Sequence, residues 1–315
     1  MTMFWGRSKT LERKLGAWIR EGGPLQTAIG DAAEVKTAAD ARMVCAALDQ
    51  ASSPESIEGF EAEHNLHSII ALFQSVGRRE ALETLREAGL PRLRALLRRY
   101  LEHRQLKADL VLFVLKQLAM YSEPRDVPSI VAAARDPDCA RGWLWQVVFR
   151  ESGRDAVFAD ALVDGLRDPL PAGFCRVAYL DFATVRAMEG RSERHPFDTP
   201  AGHRALREWL EDTDSSNFSY AVSAAASLPF IAAEARDPLL ALAQRHVDAL
   251  VRMESAWARA KLGEEPGFVQ LIELACDPRT SASASRYLVE LGAEARLPET
   301  CRQPDFRALT EMAQW

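Results

Sequence analysis

Apolar residues recur at spacings of three and four along most of the chain, and alternating strand-like runs are nearly absent. Residues 90–101 show the pattern. Leu93, Leu96, Leu97, Tyr100 and Leu101 share one side of a helix, while Arg92, Arg94, Arg98 and Arg99 lie mostly on the other. Leu110, Val111, Val114, Leu115 and Leu118 mark a second helix. Polar turns separate such segments at Ser52-Ser53-Pro54, Ser122-Glu123-Pro124 and Asp212-Thr213-Asp214. The pattern predicts an all-helical protein.

The helices repeat. Asp-Pro occurs at Asp136-Pro137, Asp168-Pro169, Asp237-Pro238 and Asp277-Pro278. Three of these dipeptides follow an apolar amphipathic segment (127–135, 157–167, 268–276) and precede another (140–151, 174–188, 282–291). Glycines close the second segments at Gly153, Gly190 and Gly292, and Gly263 closes 250–262 in the same way. Asp can cap a helix, Pro fits the first helical position, and Gly takes a left-handed C-cap at little cost. Each unit therefore reads as helix, Asp-Pro turn, helix, glycine turn. Asp237-Pro238 breaks this register and is expected to start a first helix over 239–247. With 204–211 and 218–231 paired, five two-helix units fall between Val127 and Gly292. A helix pair cannot bury its own apolar surface, and stacking against neighbours does so.

The segment 263–292, GEEPGFVQLIELACDPRTSASASRYLVELG, resembles a HEAT-like repeat of the subclass named after phycobilisome lyases. Residues 87–100, EAGLPRLRALLRRY, are similar to the start of an armadillo repeat. The resemblance implies a right-handed α-solenoid of stacked antiparallel helix pairs. It divides the chain into an N-terminal helical cap (1–50), armadillo-like helices (51–126), HEAT-like repeats (127–292) and a C-terminal cap (293–315). In such families a turn Asp often aligns with an Arg a few residues on. Arg141 and Arg176 fit that role, but residues 281–285 offer no Arg before Arg286.

Composition narrows the functional classes. The net charge of −6 disfavours nucleic-acid binding, which draws on clustered positive charge. The basic residues are mostly Arg, suited to bidentate contacts. Five cysteines without a CxxC pair suggest neither a disulfide framework nor a zinc site, and a reducing cytoplasmic setting is expected. No apolar run reaches the roughly 18 residues of a membrane span. No GxSxG, HExxH, phosphate loop or dinucleotide fingerprint occurs. Glu61 and His64 form an ExxH spacing, but a di-iron site needs a second such motif, so neither metal nor cofactor is expected.

Aromatic residues recur on the second helices: Trp143 and Trp145, Phe174 and Tyr179, Phe218 and Tyr220, Trp257, and Tyr287. In HEAT-like solenoids the second helices line the concave face. These rings are then either anchors for a partner or inter-helix core, the commoner fate of large aromatics. Trp145, Tyr179 and Trp257 are the ones expected to be exposed. Charged residues on the same helices include Asp181, Glu254 and Arg259. The partner-binding set is Arg141, Trp145, Arg176, Tyr179, Tyr220, Arg252, Trp257, Arg286 and Tyr287.

At the N-terminus, Phe4, Trp5, Leu11, Leu15, Trp18 and Ile19 fall along one stripe. With Arg7, Lys9, Arg13, Lys14 and Arg20 against Glu12, this is either an interfacial membrane helix or, in preference, a cap docked on the first repeat.

Repeats without a catalytic motif predict a non-catalytic scaffold whose concave face takes another protein or peptide. The resemblance leaves two alternatives: a bilin-lyase-like tetrapyrrole attachment factor, or a HEAT-like DNA glycosylase using Trp143, Trp145 and Asp181.

Overall fold

Local capping chemistry starts many of the helices. Thr37 and Asp40 form a reciprocal capping box at the start of α3 (Ala38–Ala51). Asp155 accepts from Phe158 N–H to open α10 (Ala156–Leu166), Thr199 from Gly202 N–H to open α12 (Pro200–Glu211), and Asp248 from two N–H groups to open α15 (Ala249–Lys261). In this computed structural model residues 10–30, 33–53, 60–192 and 194–314 are described. Phe4, Trp5, Arg7, Lys9 and Pro54 lie outside them. Among the described residues all regular structure is helical, apart from one parallel bridge between Val35 and Val76. None of those helices is long and apolar enough to cross a membrane.

Backbone contacts divide the chain into two units, Met1–Ala178 and Tyr179–Trp315. The division falls inside α11 (Gly173–Met188) and coincides with none of the boundaries expected from sequence.

The first unit also holds α1 (Leu11–Glu21), α2 (Leu25–Ile29), α4 (Phe60–Ala71), α5 (Arg79–Thr84), α6 (Leu90–His103), α7 (Ala108–Tyr121), α8 (Val127–Arg135) and α9 (Trp145–Ser152). A single π-helical stretch, Leu85–Gly89, joins α5 to α6. Gly89 is required there, because a Cβ would stand 2.5 Å from the Phe73 ring. Helices α1, α3, α5–α6, α8 and α10 pack in succession as one layer. Helices α2, α4, α7 and α9 pack in succession as a second, and pairs such as α3–α4 and α6–α7 join the two.

The second unit adds α13 (Phe218–Ser227), α14 (Ala233–Gln244), α16 (Glu265–Ala275), α17 (Ser281–Glu290) and α18 (Pro304–Gln314). The same alternation holds for α12–α14 and α13–α15, with α12–α13, α14–α15 and α16–α17 as the pairs. Helix α16 approaches α15 closely at Gly267, where a Cβ would lie 2.3 Å from Ala260 N and 2.7 Å from Ala256 O.

The five expected helix pairs between Val127 and Gly292 are therefore present as helices, with differences at their turns. Gly190, Gly263 and Gly292 have φ of 70°, 82° and 67°. Each sits in a Schellman closure, as in Ala293 N–H to Leu288 O (2.7 Å) with Gly292 N–H to Val289 O (3.0 Å). Gly153 stays right-handed at φ −66°. The Asp136 carboxylate accepts from Cys139 N–H at 3.0 Å, but a 3-10 turn (Cys139–Arg141) follows and α9 begins only at Trp145. Pro238 does not start a helix. It lies inside α14, which begins at Ala233 and ends at Gln244, short of the expected Val247.

Candidate partner-binding surface

The three aromatics expected at the surface are in the core. Trp145 is 0% exposed because its indole N–H reaches back to Cys139 O (2.8 Å) and its ring lies 5.6 Å from Phe149. Tyr179 is likewise sealed, 5.8 Å from the Phe197 ring. Trp257 is buried beside Tyr287, with ring centroids 5.7 Å apart, and Lys261 Nζ lies 5.2 Å from its ring. Each ring serves packing or a backbone carbonyl of its own unit, the usual fate of a large aromatic between helices.

Several of the expected arginines are committed locally. Arg176 Nε donates to Pro171 O at 2.7 Å. Arg252 donates to His246 O (2.6 Å) and Val247 O (2.8 Å), closing the turn before its own helix. Arg141 is exposed on the 3-10 turn. Turn Asp136 pairs not with Arg141 but with Arg104, and it also accepts from Tyr100 Oη at 2.6 Å. Tyr220 is half-buried, 6.2 Å from the Trp209 ring.

Trp257, Arg286 and Tyr287 do come together. Tyr287 on α17 donates to the Glu254 carboxylate on α15, and Arg286 lies 5.5 Å from the Tyr287 ring. Glu254 is only 7% exposed, and burial pushes its carboxyl up to about 7, opposed by the Tyr287 hydrogen bond. The buried indole nitrogen of Trp257 has no hydrogen-bond partner. Lys261 and Glu290 pair nearby at 3.6 Å. Elsewhere in this unit Asp181 accepts from Ser223, and burial raises its carboxyl. The pattern marked Glu254 as a charge on a second helix. Its burial follows from the helices packed around α15, with Tyr287 of α17 reaching the carboxylate.

A half-buried aromatic and basic cluster lies in the first unit, on its second layer. His67 of α4 and Phe113 of α7 meet with ring centroids 3.9 Å apart. Burial, then the charges of His64 and Lys116, hold the His67 imidazole below its ordinary value. Lys116 reaches Gln74, and His64 Nε2 lies 3.0 Å from Gln26 Oε1. A cleft of about 250 Å³ runs beside them, lined by Gln26, Ile29, His64, His67 and Gln74 among others. Trp143, on the approach to α9, is 67% exposed. It precedes Trp145 by two residues, and the apolar run gave no sign of which ring would face out.

The first layer carries ion pairs as well. Its charges are largely satisfied within the protein: Arg92 with Asp49 (2.8 Å), Arg79 with Glu83 (2.7 Å), and Arg94 with Asp126 (2.6 Å) and Glu123 (2.5 Å). Within the described residues of the N-terminal stripe, Leu11, Leu15 and Trp18 are buried and α1 packs on α3. The second-layer surface carries aromatic edges beside polar groups that are partly engaged with one another, Lys116 with Gln74 and Lys107 with Glu63, a mixture of the kind found at polypeptide interfaces.

No family model matches the chain, and no curated protein and no solved structure matches it.

Proposed function

We propose that this chain is a non-catalytic interaction scaffold, built as a right-handed α-solenoid similar to HEAT and armadillo repeats. Its partner is another protein or peptide, received by the second-layer helices. The observation that carries this reading is the alternation of helix contacts within each unit. Up to α14 and α15, first helices pack on first helices and second on second, while α16 packs on α15; a row of helices stacked in this way has an outer side that an extended ligand can follow. The second layer of the first unit carries half-buried His67, Phe113 and Lys116, and exposed Trp143 precedes its helix α9. The cationic and aromatic character favours a segment with acidic and apolar side chains. The reading sets the protein in a reducing, cytoplasmic compartment, in keeping with five cysteines that form no CxxC pair.

Site-specific photo-crosslinking in the native host tests it. A crosslinking residue at Phe113 on α7 is expected to trap one discrete polypeptide, whereas the same residue at Ala132 on α8, on the exposed side of the first layer, traps none. Absence of an adduct at Phe113, or equal trapping from both positions, would overturn the proposal.

A further inference from the structure

Three of the five cysteines are sealed in the core: Cys45, Cys139 and Cys175 are 3%, 0% and 0% exposed. Burial pushes the Cys139 thiol up to about 12 and raises Cys175 as well, so neither forms a useful thiolate near neutrality. Burial and then the neighbouring Cys301 raise the Cys276 thiol as well, so it reacts through a minor thiolate fraction, but it and Cys301 are placed differently from the sealed three. Cys276 ends α16 and is exposed. Cys301 lies in the 3-10 turn Glu299–Arg302, 25 residues further along the chain. Their Sγ atoms are 3.5 Å apart, and Cys301 Sγ also lies 3.5 Å from Ala275 O.

This pairing is not a by-product of adjacent sequence. It joins the end of one helix to a segment that returns after α17. A disulfide needs its sulfurs at about 2 Å, a further approach that side-chain rotation and a small shift of an exposed turn can supply. Cys301 also lines an open cavity of about 610 Å³ between α17 and α18, with Ser285, Val289, Arg307 and Thr310 on its walls. A small reagent therefore reaches one sulfur from solvent and the other from the cavity.

We propose that Cys276 and Cys301 form a reversible dithiol–disulfide switch that clips residues 294–314 to the end of α16. The oxidant is a low-molecular-weight disulfide of the glutathione class. The Cys276 thiolate attacks one sulfur of that disulfide, forming a mixed disulfide and releasing one thiolate. The Cys301 thiolate then attacks Cys276 Sγ, forming the internal disulfide and releasing the second. The two protons lost by the cysteines end on the two released thiols. The protein dithiol is oxidised as the small disulfide is reduced, and excess small thiol reverses both steps. In the reduced state the same segment is held by weaker contacts, such as Arg296 to Glu265 and Arg296 over the Phe268 ring (4.8 Å).

The test uses the full-length folded protein equilibrated in glutathione buffers of graded redox ratio, quenched with acid and alkylated. The expected result is loss of two of the five thiols together, a mass lower by two hydrogens, and a linked peptide pair containing Cys276 and Cys301. Proteolysis within residues 294–314 slows several-fold in the oxidised form. Cys276→Ser and Cys301→Ser, at positions outside the core, each retain one thiol of the pair, which accumulates as a stable glutathione adduct. Persistent glutathione adducts on both cysteines of the unsubstituted chain would overturn the switch. So would an intermolecular disulfide, or two thiols that stay free across the whole glutathione range.

Discussion

Tyr287 on α17 gives its phenolic hydrogen to the buried carboxylate of Glu254 on α15, tying two second helices of one unit through a group that ionises near neutrality. The carboxyl is raised from its ordinary 4.5 to about 7, chiefly by burial. Between those two values the folded chain holds a proton that the unfolded chain has released. Stability is therefore highest below pH 4.5 as far as this group is concerned, and falls as pH rises to 7 and just beyond. The loss amounts to at most about 3 kcal/mol. Urea unfolding at pH 5 and pH 8 should show this fall in the unsubstituted protein, and a flatter dependence in Glu254→Gln, which keeps an acceptor for Tyr287 without the buried charge.

Asp136 is a second polar hub, with the opposite sign. Its carboxylate receives Tyr100 Oη, the Cys139 and Asp138 N–H groups and Arg104, and these partners hold it below its ordinary value against the cost of burial. Its contribution is present above the unfolded carboxyl value and is lost as pH falls through the folded one. Asp136→Ala leaves a buried phenol and two turn amides unanswered, and it should cost roughly 2–4 kcal/mol at neutral pH by equilibrium denaturation. A cost that stays unchanged when Tyr100→Phe is added would separate the two residues energetically.

Gln117 on α7 is 1% exposed, and neither atom of its amide has a partner. Gln117→Met fills similar volume without the desolvation penalty. A gain of about 1–2 kcal/mol is expected, read as a higher denaturation midpoint with unchanged slope.

Gly267→Ala should destabilise the second unit by at least about 2 kcal/mol, since the added methyl meets the backbone of α15 rather than a yielding side chain. Hydrogen exchange in α15 and α16 is the local readout; unchanged protection there would refute the close packing.

The two tryptophans at the entry to α9 make a paired test of the surface. Trp143→Ala should leave stability within about 0.5 kcal/mol while weakening capture of the partner at least tenfold. Trp145→Ala should cost roughly 3–5 kcal/mol and lower binding only by unfolding. Equal effects of the two would remove Trp143 from the interface.

Much of the helical order was legible beforehand, because spacing, capping residues and closing glycines act locally. The Schellman turns at Gly190, Gly263 and Gly292 are written in a few adjacent residues. Pro238 misled because Asp-Pro suits a helix start, whereas residues 233–237 were already helical. The orientation of the rings was not legible. Residues 142–149 are apolar nearly all round, so no polar side marked which tryptophan would face solvent. Only the return of Trp145 to Cys139 O decided it. The carboxyl of Glu254 and the thiols of Cys276 and Cys301 depend on segments far along the chain, which no local pattern reports.

The succession of helix contacts within each unit has an evolutionary corollary. The principal neighbours of any helix are close to it along the chain, so inserting or excising a hairpin at a junction strands no remote counterpart. Chain length in such a protein is an adjustable variable, and fraying that begins at a terminus can stop at the next intact hairpin.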